Sequence, residues 1–65
     1  MYKVYAGEID LEHRCGEFAD RELATLRACT EAVLRDVKTF IVQDCVLIAS
    51  WSPLEARILY FGWER

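Results

Sequence analysis

The stretch Thr39-Phe40-Ile41-Val42-Gln43-Asp44-Cys45-Val46-Leu47-Ile48-Ala49-Ser50-Trp51 decides how this chain folds. β-Branched and aromatic residues dominate it, and these favour extended backbone over helix. Thr39–Gln43 and Cys45–Trp51 form either one long strand with an irregularity near Asp44 or two short ones; one strand with a bulge or bend at Gln43-Asp44 is preferred, because Gln-Asp is a poor pair for a tight turn. From Thr39 out to Trp63 only Asp44, Glu55 and Arg57 are ionised. A strand with one solvated face alternates apolar and polar residues. These segments do not, so both of their faces are expected to meet protein.

Downstream, two readings compete. Ser52-Pro53-Leu54-Glu55 matches a capping box with proline in the first helical position, and Gly62 could follow a helix over 53–61. Against this, Ile58-Leu59-Tyr60-Phe61 has the composition of a strand, and Leu59 and Tyr60 would spoil a helical polar face. The expectation is therefore a hairpin: Val46–Trp51, a loop through Ser52–Ala56, then Arg57–Trp63.

Upstream, the spacing predicts a helix from Glu17 or Asp20 to Val37. Apolar residues recur at Ala19, Leu23, Leu26, Val33 and Val37, and Phe18, Cys29 and Leu34 widen the stripe. Arg21, Arg27, Glu31, Arg35 and Lys38 fall on the other side. Asp20 suits the N-cap, and Glu31 and Arg35 form an i,i+4 pair in the favourable order. Before the helix, Tyr2–Ala6 and Ile9–His13 flank Gly7-Glu8. A type II′ turn there would put glycine where φ is positive. It would pair Ala6 with Ile9, Val4 with Leu11 and Tyr2 with His13 on one face, and Tyr5 with Asp10 and Lys3 with Glu12 on the other.

These pieces give an α+β fold in one small domain spanning residues 1–65. The order is ββαββ: an N-terminal β-hairpin, one amphipathic helix and C-terminal strands, with the helix packed on an antiparallel sheet. Sixty-five residues lie near the lower limit for a self-sufficient core. Such a core rarely supplies more than about 3–5 kcal/mol. The composition is 54% hydrophobic and 12% aromatic, so oligomerisation is the expected source of the remaining burial. A homodimer is the simplest form.

The three cysteines, Cys15, Cys29 and Cys45, are odd in number and widely spaced, without a CxxC pair. Met1-Tyr2-Lys3-Val4-Tyr5 lacks the apolar core of a signal peptide, and no apolar run is long enough to span a bilayer. A cytoplasmic protein with reduced thiols is expected, with no membrane partner. Net charge is −3, and residues 8–22 carry six acids against two arginines. This reads as a solvated hairpin edge and helix start. Clustered Lys/Arg of the kind phosphate binding requires is missing, so no nucleic-acid partner is expected.

Few residues suggest chemistry. His13 and Cys15 would share one side of an extended chain, and an imidazole can activate a thiol. No third orienting group or oxyanion element accompanies them, so the plainer reading is hairpin-end packing. A zinc site would need His13 and the scattered cysteines to converge, and Cys29 sits on the apolar stripe as a small hydrophobe. No catalytic, metal or cofactor site is assigned. Trp51, Arg57, Tyr60 and Trp63 are residue types that dominate interface energetics. Glu22, a carboxylate in the apolar sector of the helix, could make a salt bridge across an interface.

The sequence therefore points to a non-enzymatic protein-binding factor: accessory, regulatory or inhibitory, acting as a homo-oligomer on a larger partner protein. Two alternatives stand beside it. One is a small thiol-dependent enzyme or enzyme subunit using Cys15 and His13. The other is a single-stranded nucleic-acid binder that stacks bases on an aromatic sheet face.

Overall fold

Tyr2–Ala6 (β1) and Thr39–Gln43 (β3) form the centre of a four-stranded antiparallel sheet in a computed structural model that describes residues 1–63. Arg14–Phe18 (β2) and Val46–Trp51 (β4) are its edges, in the order β2-β1-β3-β4. Helix α1 (Arg21–Arg35) crosses one face of the sheet. The α+β architecture read from the sequence is present, with its helix on an antiparallel sheet.

The first hairpin closes further along the chain than the glycine suggested. Gly7 does take φ of 91°, but as the exit from β1, where its N–H donates to the Lys38 carbonyl at 2.8 Å. The chain then loops through Glu8–Asp10 into a 3-10 turn at Leu11–His13, and the second strand begins at Arg14. Asp10 fixes that turn by accepting the His13 N–H at 2.9 Å. The later register sets Phe18 opposite Tyr2 and Gly16 opposite Val4. Phe18 thereby reaches the core, and Ile9 and Leu11 are left exposed. Lys3 keeps an acidic neighbour across the strands, but it is Glu17 in place of Glu12.

α1 begins as expected, with the Asp20 carboxylate accepting the Glu22 N–H at 2.8 Å. Glu31 and Arg35 form the anticipated ion pair. The helix ends at Asp36, which is left-handed (φ 55°, ψ 46°). Its buried face, however, is not the one its large apolar residues mark. Ala24, Ala28, Cys29 and Ala32 are fully buried, while Leu23, Leu26 and Leu34 are 52, 44 and 75% exposed. The reason is steric. The sheet already supplies Val4 and Ile41, flanked by Tyr2, Phe18 and Trp51, so the helix settles close upon them through its smallest side chains. The Thr39 hydroxyl, fully buried, donates to the Ala28 carbonyl at 2.8 Å and ties β3 to the helix.

The decisive stretch is two strands rather than one bent strand. Gln43 pairs with Val46, which leaves a two-residue turn at Asp44-Cys45 with φ of 50° and 64°. Both residues are in the left-handed region that type I′ hairpin turns require. Aspartate tolerates it; cysteine costs about 1–2 kcal/mol there. Cys45→Gly is accordingly expected to raise stability by about 0.5–1 kcal/mol, after the extra freedom of glycine in the unfolded chain is deducted. An unchanged or lower urea midpoint would contradict this reading of the turn. A bulge at Ile48, between the pairs Ile41–Ala49 and Val42–Leu47, lets that side chain pack on the core.

The final hairpin expected over Arg57–Trp63 does not form. Ser52 and Glu55 complete a reciprocal capping box, with both hydrogen bonds at 3.1 Å. One helical turn, α2 (Pro53–Glu55), widens into a π-turn over Ala56–Tyr60. The cap and the complete burial of Ala56 against Cys29 and Ala32 outweigh the strand-like composition.

Candidate functional site

The C-terminal segment returns along α1 toward its start. Ala56 meets the middle of the helix, and Tyr60 shares a groove of about 380 Å³ with Arg21, Glu22 and Thr25. Gly62 turns the backbone at φ 70°, and the Trp63 N–H donates to the Arg57 carbonyl at 2.8 Å. This path strings four aromatic rings into a ladder. Trp51 meets Tyr60 edge-on at 5.9 Å, Tyr60 meets Phe61 edge-on at 5.1 Å, and Phe61 stacks on Trp63 at 5.2 Å.

The five residues singled out from the sequence fall in this region with unequal exposure. Tyr60 and Trp63 are exposed, Glu22 is exposed beside Tyr60, and Arg57 is half-buried. Trp51 is half-buried and packs against both core clusters. Phe61, which joins Tyr60 to Trp63, was not singled out; its place between two aromatics was the available signal. Among the described residues thirteen large apolar side chains are exposed, and eight lie on α1 or between residues 54 and 63. The apolar excess therefore concentrates on the helical side of the molecule.

The opposite sheet face is less bare than its composition implied. Tyr5 and Val42 are nearly buried, and Phe40 is half-buried. A groove of about 630 Å³ runs over this face, with Lys3, Tyr5, Val42 and Leu47 among its walls and Met1 and Ile9 at its rim. No tryptophan stands on this face, since Trp51 packs toward the helix and Trp63 lies beyond the strands. Tyr5 and Phe40, opposite each other on β1 and β3, are the aromatic residues of this face.

The His13–Cys15 pair is arranged differently from its extended reading. His13 ends the 3-10 turn, and its Nδ1 lies 2.6 Å from an Asp10 carboxylate oxygen. That hydrogen bond raises the imidazole pKa and lowers the Asp10 pKa. The Cys15 thiol points toward the His13 carbonyl at 3.7 Å, and burial pushes its pKa up. Cys29, fully buried, is pushed up to about 12 by the same cause. Both shifts oppose thiolate formation at neutral pH.

The Asp10–His13 pair makes a pH prediction. His13, with its pKa raised above 6.5, contributes to folding at pH below that value, and the contribution fades as pH climbs through the raised pKa. Asp10, lowered below 3.8, contributes above that value and loses its share as pH falls through the lowered pKa. The pair therefore acts most fully between 3.8 and 6.5. In an NMR titration the His13 ring should show a midpoint above 6.5, and Asp10→Asn should bring it down. A wild-type midpoint at or below the ordinary value would refute the pairing.

Glu8, Asp10 and His13 place three potential metal-donor atoms within 4.8 Å of one another on the exposed loop. Two of these groups already bond each other, and the three cysteines join no such grouping among the described residues. No described helix is long and apolar enough to cross a membrane. No family model, curated protein or solved structure matches this chain.

Proposed function

We propose that this chain is a non-enzymatic protein-binding factor, accessory or regulatory in its action, that occupies a surface of a larger partner protein and also associates with itself. The observation that carries the reading is the exposed end of the aromatic ladder. Tyr60 and Trp63 keep 39% and 49% of their surface in water while fixed edge-on and stacked against neighbouring rings. Rigid, solvent-facing aromatics supply contact area with little ordering cost on binding. Glu22 beside Tyr60 adds a charge at the rim of the same surface. Inhibition, on this view, is occlusion of a partner's surface, and the cytoplasm is the compartment proposed for it.

The test is affinity capture from lysate of the native host, with mass identification of what is retained. Tyr60→Ala and Trp63→Ala are the controls. Removal of an anchoring aromatic costs at least about 2 kcal/mol, or roughly thirtyfold in affinity, at a binding centre. A protein retained by the wild type should be lost by both variants while far-UV circular dichroism stays unchanged. Equal retention by wild type and variants would remove the ladder from the binding surface.

A further inference from the structure

On the sheet face turned away from α1, two residues of β1 carry polar ends that no described residue uses. Lys3 and Tyr5 stand two positions apart on the strand and so project to the same side. Tyr5 is only 8% exposed, yet its hydroxyl makes no hydrogen bond among the described residues. Nor is it sealed off: among the described residues, no side-chain oxygen or nitrogen shut away from solvent lacks a partner. The hydroxyl therefore opens into the groove of about 630 Å³ that Tyr5 lines. A side chain so deeply buried, with its polar end left unpaired toward open space, keeps a donor and an acceptor for a guest. Lys3 is half-buried on the same groove. Its acidic neighbour across the strands, Glu17, pairs with Arg14 at 3.2 Å instead. Among the described residues no carboxylate lies within ion-pair distance of Lys3.

We infer that this groove binds a small organic carboxylate with an apolar body, of the medium-chain fatty acid class. The head lies between the Lys3 ammonium and the Tyr5 hydroxyl, and both donate to it. Hydrogen bonds to an ionised acceptor are the stronger kind. The strand register fixes the course of the body. Lys3 stands opposite Val42, and Val42 opposite Leu47. Val42 and Leu47 thus make an uncharged row running from the head across the sheet, and both line the groove. Asp44, the acid on the groove wall, follows Gln43 in the turn to β4 and lies on the other side of this row from Tyr5. A carboxylate on the Tyr5 side of Lys3 is therefore remote from that acid. Charge chooses among occupants: a cationic guest would meet Lys3, and a neutral one would leave the ammonium unanswered. The volume falls in the range of small-molecule sites, about 300–1,000 Å³. This site lies across the sheet from the aromatic ladder and goes beyond the protein-binding role proposed above.

An NMR titration of the isotope-labelled full chain with octanoate tests this, with octanol and octylammonium as the neutral and cationic counterparts. Octanoate should produce saturable amide shifts centred on Lys3, Tyr5, Val42 and Leu47, with a Kd of about 1 mM or tighter. Octanol and octylammonium should each bind at least about tenfold more weakly. Lys3→Met should weaken octanoate at least about tenfold, and Tyr5→Phe, which keeps the buried ring, about threefold. Asp44→Asn should tighten it, and Trp63→Glu should leave it unchanged. Peak dispersion in each spectrum reports whether the variant is folded, and the wild-type map stands without the variants. Absence of saturable shifts in the wild type would sink the site, as would shifts centred on α1 or on the aromatic ladder. Octanol or octylammonium binding as tightly as octanoate would overturn the carboxylate. Unaltered affinity in folded Lys3→Met and Tyr5→Phe would overturn the placement of the head.

Discussion

Ile41→Ala is expected to leave the chain unfolded at 25 °C. Ile41 is the largest of the fully buried side chains, and it lies where β3 meets Val4, Ala24 and Ala28. Removing its outer carbons forfeits their transfer energy and opens a cavity, a combined cost of about 2–5 kcal/mol. The whole stability of a core this size is about 3–5 kcal/mol. One substitution can therefore consume nearly all of it. The alanines opposite have no reach to fill the void, so little relaxation is available. Ile41→Val, which removes a single methylene, should cost about 0.5–1.5 kcal/mol and keep a cooperative urea transition. If Ile41→Ala melts within a few degrees of wild type, the assignment of the core to this point is mistaken.

Trp51→Ala is the second large effect, and it separates two roles for that residue. Trp51 ends β4 and touches both core clusters: Val4, Ala24, Ala28 and Ile41 on one side, Cys29, Ala32 and Ala56 on the other. It also meets Tyr60 edge-on and so begins the aromatic ladder. Loss of a packed tryptophan costs about 3–5 kcal/mol. Unfolding is the expected result, with collapse of the near-UV circular dichroism signal. A variant that stays folded and loses only partner binding or self-association would make Trp51 a surface anchor in place of a strut between the two clusters. The same logic explains why Tyr60 and Trp63, which are exposed, are the better probes of binding.

What could be read in advance depended on whether the deciding interactions were local. The Asp20 cap, the Ser52–Glu55 capping box and the Glu31–Arg35 pair each involve residues two to four apart, so their signatures lie in adjacent letters. Gly7 announced a positive φ for the same reason. The errors arose where distant parts of the chain decide. Ile9–His13 alternates as well as any strand, but only Arg14–Phe18 delivers Phe18 to the core. At Asp44-Cys45 the register of β3 against β4 imposed a turn that Asp44 suits but Cys45 does not advertise. On α1, periodicity weighed leucine above alanine, while the closeness of the sheet favoured the smaller residue.

The candidate surface was legible in part. The chemical character of Trp51, Arg57, Tyr60, Trp63 and Glu22 was visible as residue type. That Glu22 and Tyr60 share one groove was not, because it follows from a helical C-terminal segment turning back along α1. The periodicity of α1 marks Leu23, Leu26 and Leu34 for the core, and only the three-dimensional structure shows them exposed.

The alanines beneath α1 hold the helix at a fixed height above the strands, and that height limits how relatives of this chain can diverge. Positions 24 and 28 can exchange only among the smallest amino acids without prising the layers apart, and position 32 is held to the same limit by Ala56 of the returning C-terminal segment, whereas the exposed leucines overhead are free of that steric limit.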